Sequence, residues 1–147
     1  MSARPAAAEL AAKDMIRHTL YLYCRSMDQI DRALGLSLWA PEATVDYGPT
    51  IFQGTAVDFI ERVSRHHEQT EARSHQVTNI LIDLDLPQGR ASTEAYVTAA
   101  LRDAREGVRK DRLIRGRYLD DWVQHEGRWV IAHRRFQHDL TSLLPSP

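Results

Sequence analysis

The stretch Ser74-His75-Gln76-Val77-Thr78-Asn79-Ile80-Leu81-Ile82-Asp83-Leu84-Asp85-Leu86 constrains this chain more than any other. From Ile80 onward apolar residues alternate with acids, the period of a half-buried β-strand. Counting by twos from the other end puts His75, Val77, Asn79 and Leu81 on one face. A strand that needs an apolar side therefore starts by carrying an imidazole and a carboxamide. Buried polar groups need partners, and a histidine in a dry pocket is well suited to moving protons near neutral pH.

The remaining chain is read for what would meet His75. At 147 residues it is expected to be one domain, 1–147, with an ordered core over about 8–140. A net charge of −1 without a Lys/Arg run argues against a nucleic-acid partner. Cys24 is the only cysteine, which excludes an internal disulfide and a cysteine metal cluster. Met1 to Ala8 read as small and unstructured, with no signal-peptide core, and no segment is long enough to span a bilayer. A soluble, cytoplasmic protein is expected.

In chain order, Leu10, Met15, Ile16, Leu20, Tyr23 and Met27 mark the apolar stripe of a helix from Ala8 to Met27. Asp31 suits the N-cap of a shorter helix ending at Pro41, with Leu34, Leu38 and Trp39 buried. Ala43–Tyr47 and Ile51–Phe52 read as short strands around Gly48-Pro49. Thr55 would cap a third helix, Ala56 to His67, facing Val57, Ile60 and Val63 inward. The strand His75–Leu86 turns at Pro87-Gln88-Gly89 into Ala91–Leu101. Strands Leu113–Gln124 and Arg128–His138 flank a tight turn at Glu126-Gly127. The tail from Leu143 to Pro147 is too short to fold alone. Three helices followed by long antiparallel strands give an α+β fold: a cone-shaped roll whose strongly curved antiparallel sheet is closed on its concave side by the helices.

Asp28 falls where the first helix gives way to a turn. An aspartate there serves as a cap or turn residue, or it orients a histidine base by binding one ring nitrogen. Tyr23 lies on the apolar face, as a core ring or as a hydroxyl aimed at a substrate. In the last strand Trp129, Ile131, His133 and Arg135 share one parity, and Arg134 shares the other with Val130 and Phe136. A buried arginine there needs an acid or an electron-rich ligand. His67, Glu71 and His75 would align as metal ligands if the third helix ran on. Arg73-Ser74 and the alternation after His75 argue that it does not, so no metal is expected. His66-His67 beside Glu68 read as a solvated helix end. Phosphate-loop, dinucleotide and nucleophile-elbow signatures are absent, and Cys24 has no evident activation.

Taken together, Tyr23-x4-Asp28, Asp31 with Leu34 to Trp39, Ala43 to Tyr47, Phe52-x-Gly54, Ser74 to Asn79, and Gly116-Arg117-Tyr118-x3-Trp122 closing on Gly127-Arg128-Trp129-x-Ile131-x-His133-Arg134 resemble the SnoaL-like branch of the nuclear-transport-factor-2-like superfamily. The likeness runs from about Leu10 to Asp139. Within that branch the pattern is similar to cofactor-free lyases: hexachlorocyclohexane dehydrochlorinases, bile-acid 7α-dehydratases and scytalone dehydratases. The resemblance implies that Asp28 and His75 form the catalytic pair, that Tyr23 is the pocket tyrosine, and that Arg135, or Arg134 on the opposite parity, is the late-strand arginine.

The reading is a cofactor-independent dehydratase, dehydrohalogenase or isomerase acting on a small apolar cyclic substrate. His75, Asp28, Tyr23 and Arg135 are its candidate catalytic residues, and Asn79, Tyr118, Trp39, Trp122 and His133 its candidate substrate contacts. The alternative is a non-catalytic ligand-binding cone or a companion subunit resembling a dioxygenase β-subunit. The small residues Ala91, Thr93, Ala95, Val97 and Ala99 are read as an outer face buried against another copy, which with the resemblance favours a trimer over a dimer.

Overall fold

The computed structural model describes residues 7–105 and 107–145. Its elements are α1 (Ala7–Gln29), α2 (Arg32–Ser37), β1 (Trp39–Asp46), β2 (Gln53–Thr55), α3 (Ala56–His67), β3 (Thr70–Asp85), β4 (Arg90–Arg105), β5 (Val108–His125) and β6 (Arg128–Pro145). The strands form one sheet in the order β2-β1-β6-β5-β4-β3. Every neighbouring pair is antiparallel except β1 and β6, which run parallel. The expected α+β architecture is present, with that one parallel junction added. No helix among the described residues is long and apolar enough to cross a membrane.

Helix α1 covers the sheet because Ile16, Leu20, Tyr23 and Met27 recur at helical spacing and are all fully buried. Leu10 and Met15, expected on that stripe, are instead exposed. Asp31 caps α2 by accepting the Leu34 N–H at 2.9 Å, and Thr55 caps α3 by accepting the Asp58 N–H at 3.1 Å. In α3, Phe59 and Ile60 are buried while Val57 is exposed, one position off the expected face. Helix α2 stops at Ser37, so Trp39 and Pro41 belong to β1 rather than to a helix. Pro41 is tolerated there because the β1–β6 register is interrupted between Trp39 and Thr44. Ile51 and Phe52 precede β2 rather than forming a strand.

Bulges decide which side chains face the helices. In β3, Thr78 pairs with Tyr96 and Leu81 with Glu94, so β3 holds one extra residue. Asn79 sits in that bulge at φ 51°, and side-chain parity reverses across it. His75 and Val77 face inward before the bulge, and Ile80, Ile82 and Leu84 after it, while Leu81 is exposed. A second bulge near Ala132 pairs Trp122 with Ile131 but Asp121 with His133. Trp129 and Ile131 thus share the inner face with Arg134 and Phe136, not with His133 and Arg135.

One further expectation is corrected. Ala95 and Val97 lie in the hydrophobic core beneath the helices, with Thr93 and Ala99 buried alongside, so the small-residue stripe of β4 is the inner face. Serving α1, it no longer argues for a subunit contact. Leu143 and Leu144, in the tail too short to fold alone, join the sheet instead, where Asp111 pairs with Leu144 and Lys110 with Pro145. The expected loose N-terminus falls mainly on residues 1–6, which with Ser146 and Pro147 lie outside the described residues.

Candidate active site

Asp28 is the penultimate residue of α1, and the chain turns sharply just beyond it. Ile30 takes φ 55°, and the Asp31 N–H returns to the Ser26 carbonyl at 2.9 Å, a left-handed helix stop that is costly for a β-branched residue. This ending carries Asp28 against β3. Its Oδ1 accepts the His75 backbone N–H at 2.9 Å and lies 2.8 Å from His75 Nδ1. A carboxylate accepts, so Nδ1 bears the proton, and in the neutral ring Nε2 is the nitrogen that carries the lone pair. The His75 side chain is 8% exposed and that of Asp28 30%. The pair is therefore sheltered yet reachable, beside a cavity of about 450 Å³ that also touches Tyr21, Cys24, Arg25 and Val77.

A second histidine backs the first. The His67 ring centroid is 5.2 Å from that of His75. His67 is buried, and its Nδ1 has no hydrogen-bond partner among the described residues. Burial above all, then the neighbouring His75, His66 and Arg73, push its pKa down to about 3, while the facing Met27 carbonyl acts weakly the other way. It is a neutral imidazole, not the expected solvated helix end. Glu71 pairs with Arg109 at 3.0 Å, apart from both rings.

Deeper under α1 lies an aromatic cluster around Arg134. Its Nε and Nη2 each donate to Asp120 at 2.7 Å, and both side chains are wholly buried. The guanidinium lies 3.7 Å from the Tyr118 ring centre, 4.2 Å from that of Tyr23 and 5.3 Å from that of Trp39. Burial works against this cation, but Asp120 more than offsets it and keeps Arg134 charged. Burial, followed by neighbouring phenols, holds Tyr23, Tyr47 and Tyr118 well above the ordinary tyrosine range, so all three stay protonated. Arg134 Nη1 and Trp39 Nε1 have no hydrogen-bond partners among the described residues. This interior is thus rich in donors. Cys24 lies between it and the dyad: burial pushes its thiol up to about 11, with Asp28 adding to the rise and Arg134 opposing it. No activated nucleophile results.

The structure brings together His75 and Asp28, and brings Tyr23, Trp39 and Tyr118 around Arg134. Trp122 is buried in the same core, its Nε1 donating to Thr93 Oγ1 at 2.9 Å. Three other candidates lie elsewhere. Asn79 is exposed on its bulge. His133 Nδ1 meets Thr44 Oγ1 at 2.7 Å, away from the helices. Arg135 borders a separate cavity of about 460 Å³ with Asp83, Glu94 and Asp121. Of the two arginines weighed, Arg134 faces inward. His67 was expected only as a metal ligand or a solvated helix end, and Arg73, Tyr47 and Asp120 were not expected at the site. His67 follows Ile60 and Ser64 at helical spacing, and Asp120 lies two residues from both Tyr118 and Trp122, so their inward parity was visible.

No curated protein sequence matches the chain. Several solved structures share its fold. A candidate scytalone dehydratase from Novosphingobium aromaticivorans is 23% identical, with a TM-score of 0.82 over 95% of this chain and 91% of that one. A type 2 hexachlorocyclohexane dehydrochlorinase (LinA) is 14% identical, with a TM-score of 0.82 over 95% and 93%. A candidate aromatic ring hydroxylase from N. aromaticivorans is 17% identical, with a TM-score of 0.77 over 92% and 94%. The sequence itself matches the SnoaL-like domain over residues 8–135, and the chain belongs to that family.

Proposed function

We propose that the protein is a lyase, or an isomerase of the same proton-abstracting type, acting on a small, largely apolar cyclic molecule. The observation that carries this reading is the 2.8 Å contact between Asp28 Oδ1 and His75 Nδ1, which leaves Nε2 as the basic nitrogen. Nε2 takes a proton from carbon, the C–H electron pair becomes the new π bond, and a neighbouring C–O or C–halogen bond breaks. Asp28 stabilises the imidazolium that forms. In a dehydration the proton then passes to the departing hydroxide; in a dehydrohalogenation it leaves to solvent as the halide departs. Arg134, with its free Nη1–H, replaces Arg135 as the group assisting departure together with Tyr23. General-base assistance supplies about 10²–10⁴-fold, and positioning must supply the remainder.

The similar folds of the candidate scytalone dehydratase and the dehydrochlorinase support the reaction class. The test is elimination, or hydrogen–deuterium exchange at carbon, on a panel of hydroxylated and halogenated rings, comparing the wild type with His75→Ala. Equal rates in the two proteins would remove the base. The second reading, a companion subunit of a larger oxygenase, draws support from the likeness to the candidate aromatic ring hydroxylase. A stoichiometric oxygenase subunit co-purifying with the chain, together with inert elimination assays, would favour it.

A further inference from the structure

Asp28 stands in an unfavourable place for an acid. It lies at the C-terminus of a 23-residue helix whose last turn holds no basic residue, and the macrodipole there repels negative charge. The cation missing from α1 comes from β3. Arg73 Nε donates to the Asp28 carbonyl at 2.9 Å. Its Nη1 donates to the His67 carbonyl at 3.1 Å, the Thr70 carbonyl at 3.1 Å and Thr70 Oγ1 at 2.9 Å. Thr70 Oγ1 in turn donates to the His67 carbonyl at 2.7 Å. One half-buried guanidinium thus binds the C-terminal ends of both α1 and α3, two residues before His75 on the same face of β3.

We infer that Arg73 is a positioning residue for the His75–Asp28 pair. Its four acceptors among the described residues are all neutral oxygens, so its charge answers the negative ends of the two helices rather than a carboxylate there. It fixes the last turn of α1 at the height where Asp28 Oδ1 reaches both the N–H and the ring of His75. It also holds the end of α3 from which the His67 ring packs against His75. A lysine does not replace it, because one ammonium on a flexible stem cannot span two helix ends in a planar fork. The inference rests on the dyad reading above, but its geometry can be tested without a substrate.

The experiment uses the full chain labelled with ¹⁵N at histidine and follows the His75 Nδ1–H resonance and its exchange with water. Asp28→Asn and His75→Gln serve to assign the signal. Arg73→Gln should accelerate exchange of that proton by about tenfold or more, the scale expected when a buried charge-assisted hydrogen bond is loosened, with backbone amide spectra otherwise unchanged. Arg73→Lys should recover thermal stability but not the slow exchange. Thr70→Val, which removes one acceptor and leaves the arginine in place, should give an intermediate rate and serves if Arg73→Gln does not fold. Wild-type exchange in Arg73→Gln or in Thr70→Val would overturn the brace. An unprotected proton already in the unsubstituted chain would overturn both brace and dyad. If the proton is protected but His75→Ala retains turnover, the catalytic reading alone fails and the positioning result stands.

Discussion

One carboxylate oxygen of Asp28 serves two donors of His75, the main-chain N–H at 2.9 Å and ring Nδ1 at 2.8 Å. Backbone and side chain of the histidine are therefore referred to the same point at the end of α1. In a neutral ring this contact places the proton on Nδ1, the tautomer that the proposed base requires.

Asp28→Asn keeps the size and one accepting oxygen but removes the charge that balances imidazolium. We expect kcat to fall by about 10²–10⁴-fold. Stability should change by no more than about 1 kcal/mol, because the lost hydrogen-bond strength is offset by relief of an acid at a helix C-terminus. Turnover assays beside urea denaturation separate the two effects. Intact turnover with a lowered denaturation midpoint would make Asp28 a structural tie between α1 and β3.

Arg134 and Asp120 are a fully buried ion pair, and such pairs are destabilising to break yet cheap to replace together. Asp120→Asn should cost about 3–5 kcal/mol by leaving the guanidinium uncompensated. The double replacement Asp120→Leu with Arg134→Met should be far milder in chemical denaturation. The same double variant should lack turnover, because the donor facing Tyr23 and Tyr118 is gone. Normal turnover in it would exclude Arg134 from the chemistry.

Gly116 has no room for a side chain: a Cβ there would lie 2.3 Å from the Gln137 carbonyl oxygen and 2.5 Å from the Phe136 ring. Backbone cannot rotate away as a flexible side chain can. Phe136 in turn stacks on Tyr47 at 4.8 Å and touches Tyr118 at 5.9 Å. Gly116→Ala should therefore lose about 1–3 kcal/mol, the usual range for overpacking, and disturb the aromatic cluster. Near-ultraviolet circular dichroism and a thermal melt check this; an unchanged melt would mean that β5 and β6 are farther apart than described.

Local chemistry was legible in the chain and long-range parity was not. Thr55 and Asp31 announce their caps because the acceptor and the N–H it binds lie three residues apart. Asp28 and His75 stood out as polar residues at element boundaries. Arg134 and Arg135 were ambiguous because a single extra residue near Ala132 exchanges the two faces of β6, and the residues themselves do not announce that bulge. The Asn79 bulge misplaced its own carboxamide in the same way, while reconciling inward His75 with inward Ile80. Arg73 was hidden for a different reason. Most of its acceptors are main-chain carbonyls, and these carry no residue identity for a pattern to detect.

His67 gives the last prediction. Its pKa of about 3 in the folded protein lies far below the ordinary value of 6.5. Between those two values the unfolded chain binds a proton that the folded chain refuses. The stability contributed by keeping His67 neutral is thus full above pH 6.5 and is lost progressively as pH falls toward 3. The loss has a limiting slope of about 1.4 kcal/mol per pH unit for one proton. The charged and titratable groups acting on the ring are His75 and Arg73 from β3 and His66 from α3, and each disfavours its protonation. His67→Leu removes this proton while keeping an apolar group against the core. Urea midpoints measured from pH 7 to pH 4 should fall more steeply for the wild type than for His67→Leu, by up to that one-proton slope. Parallel curves would mean that the His67 imidazole takes up its proton in the folded state as readily as in the unfolded one. The neutral ring packed against His75 would then have to be abandoned.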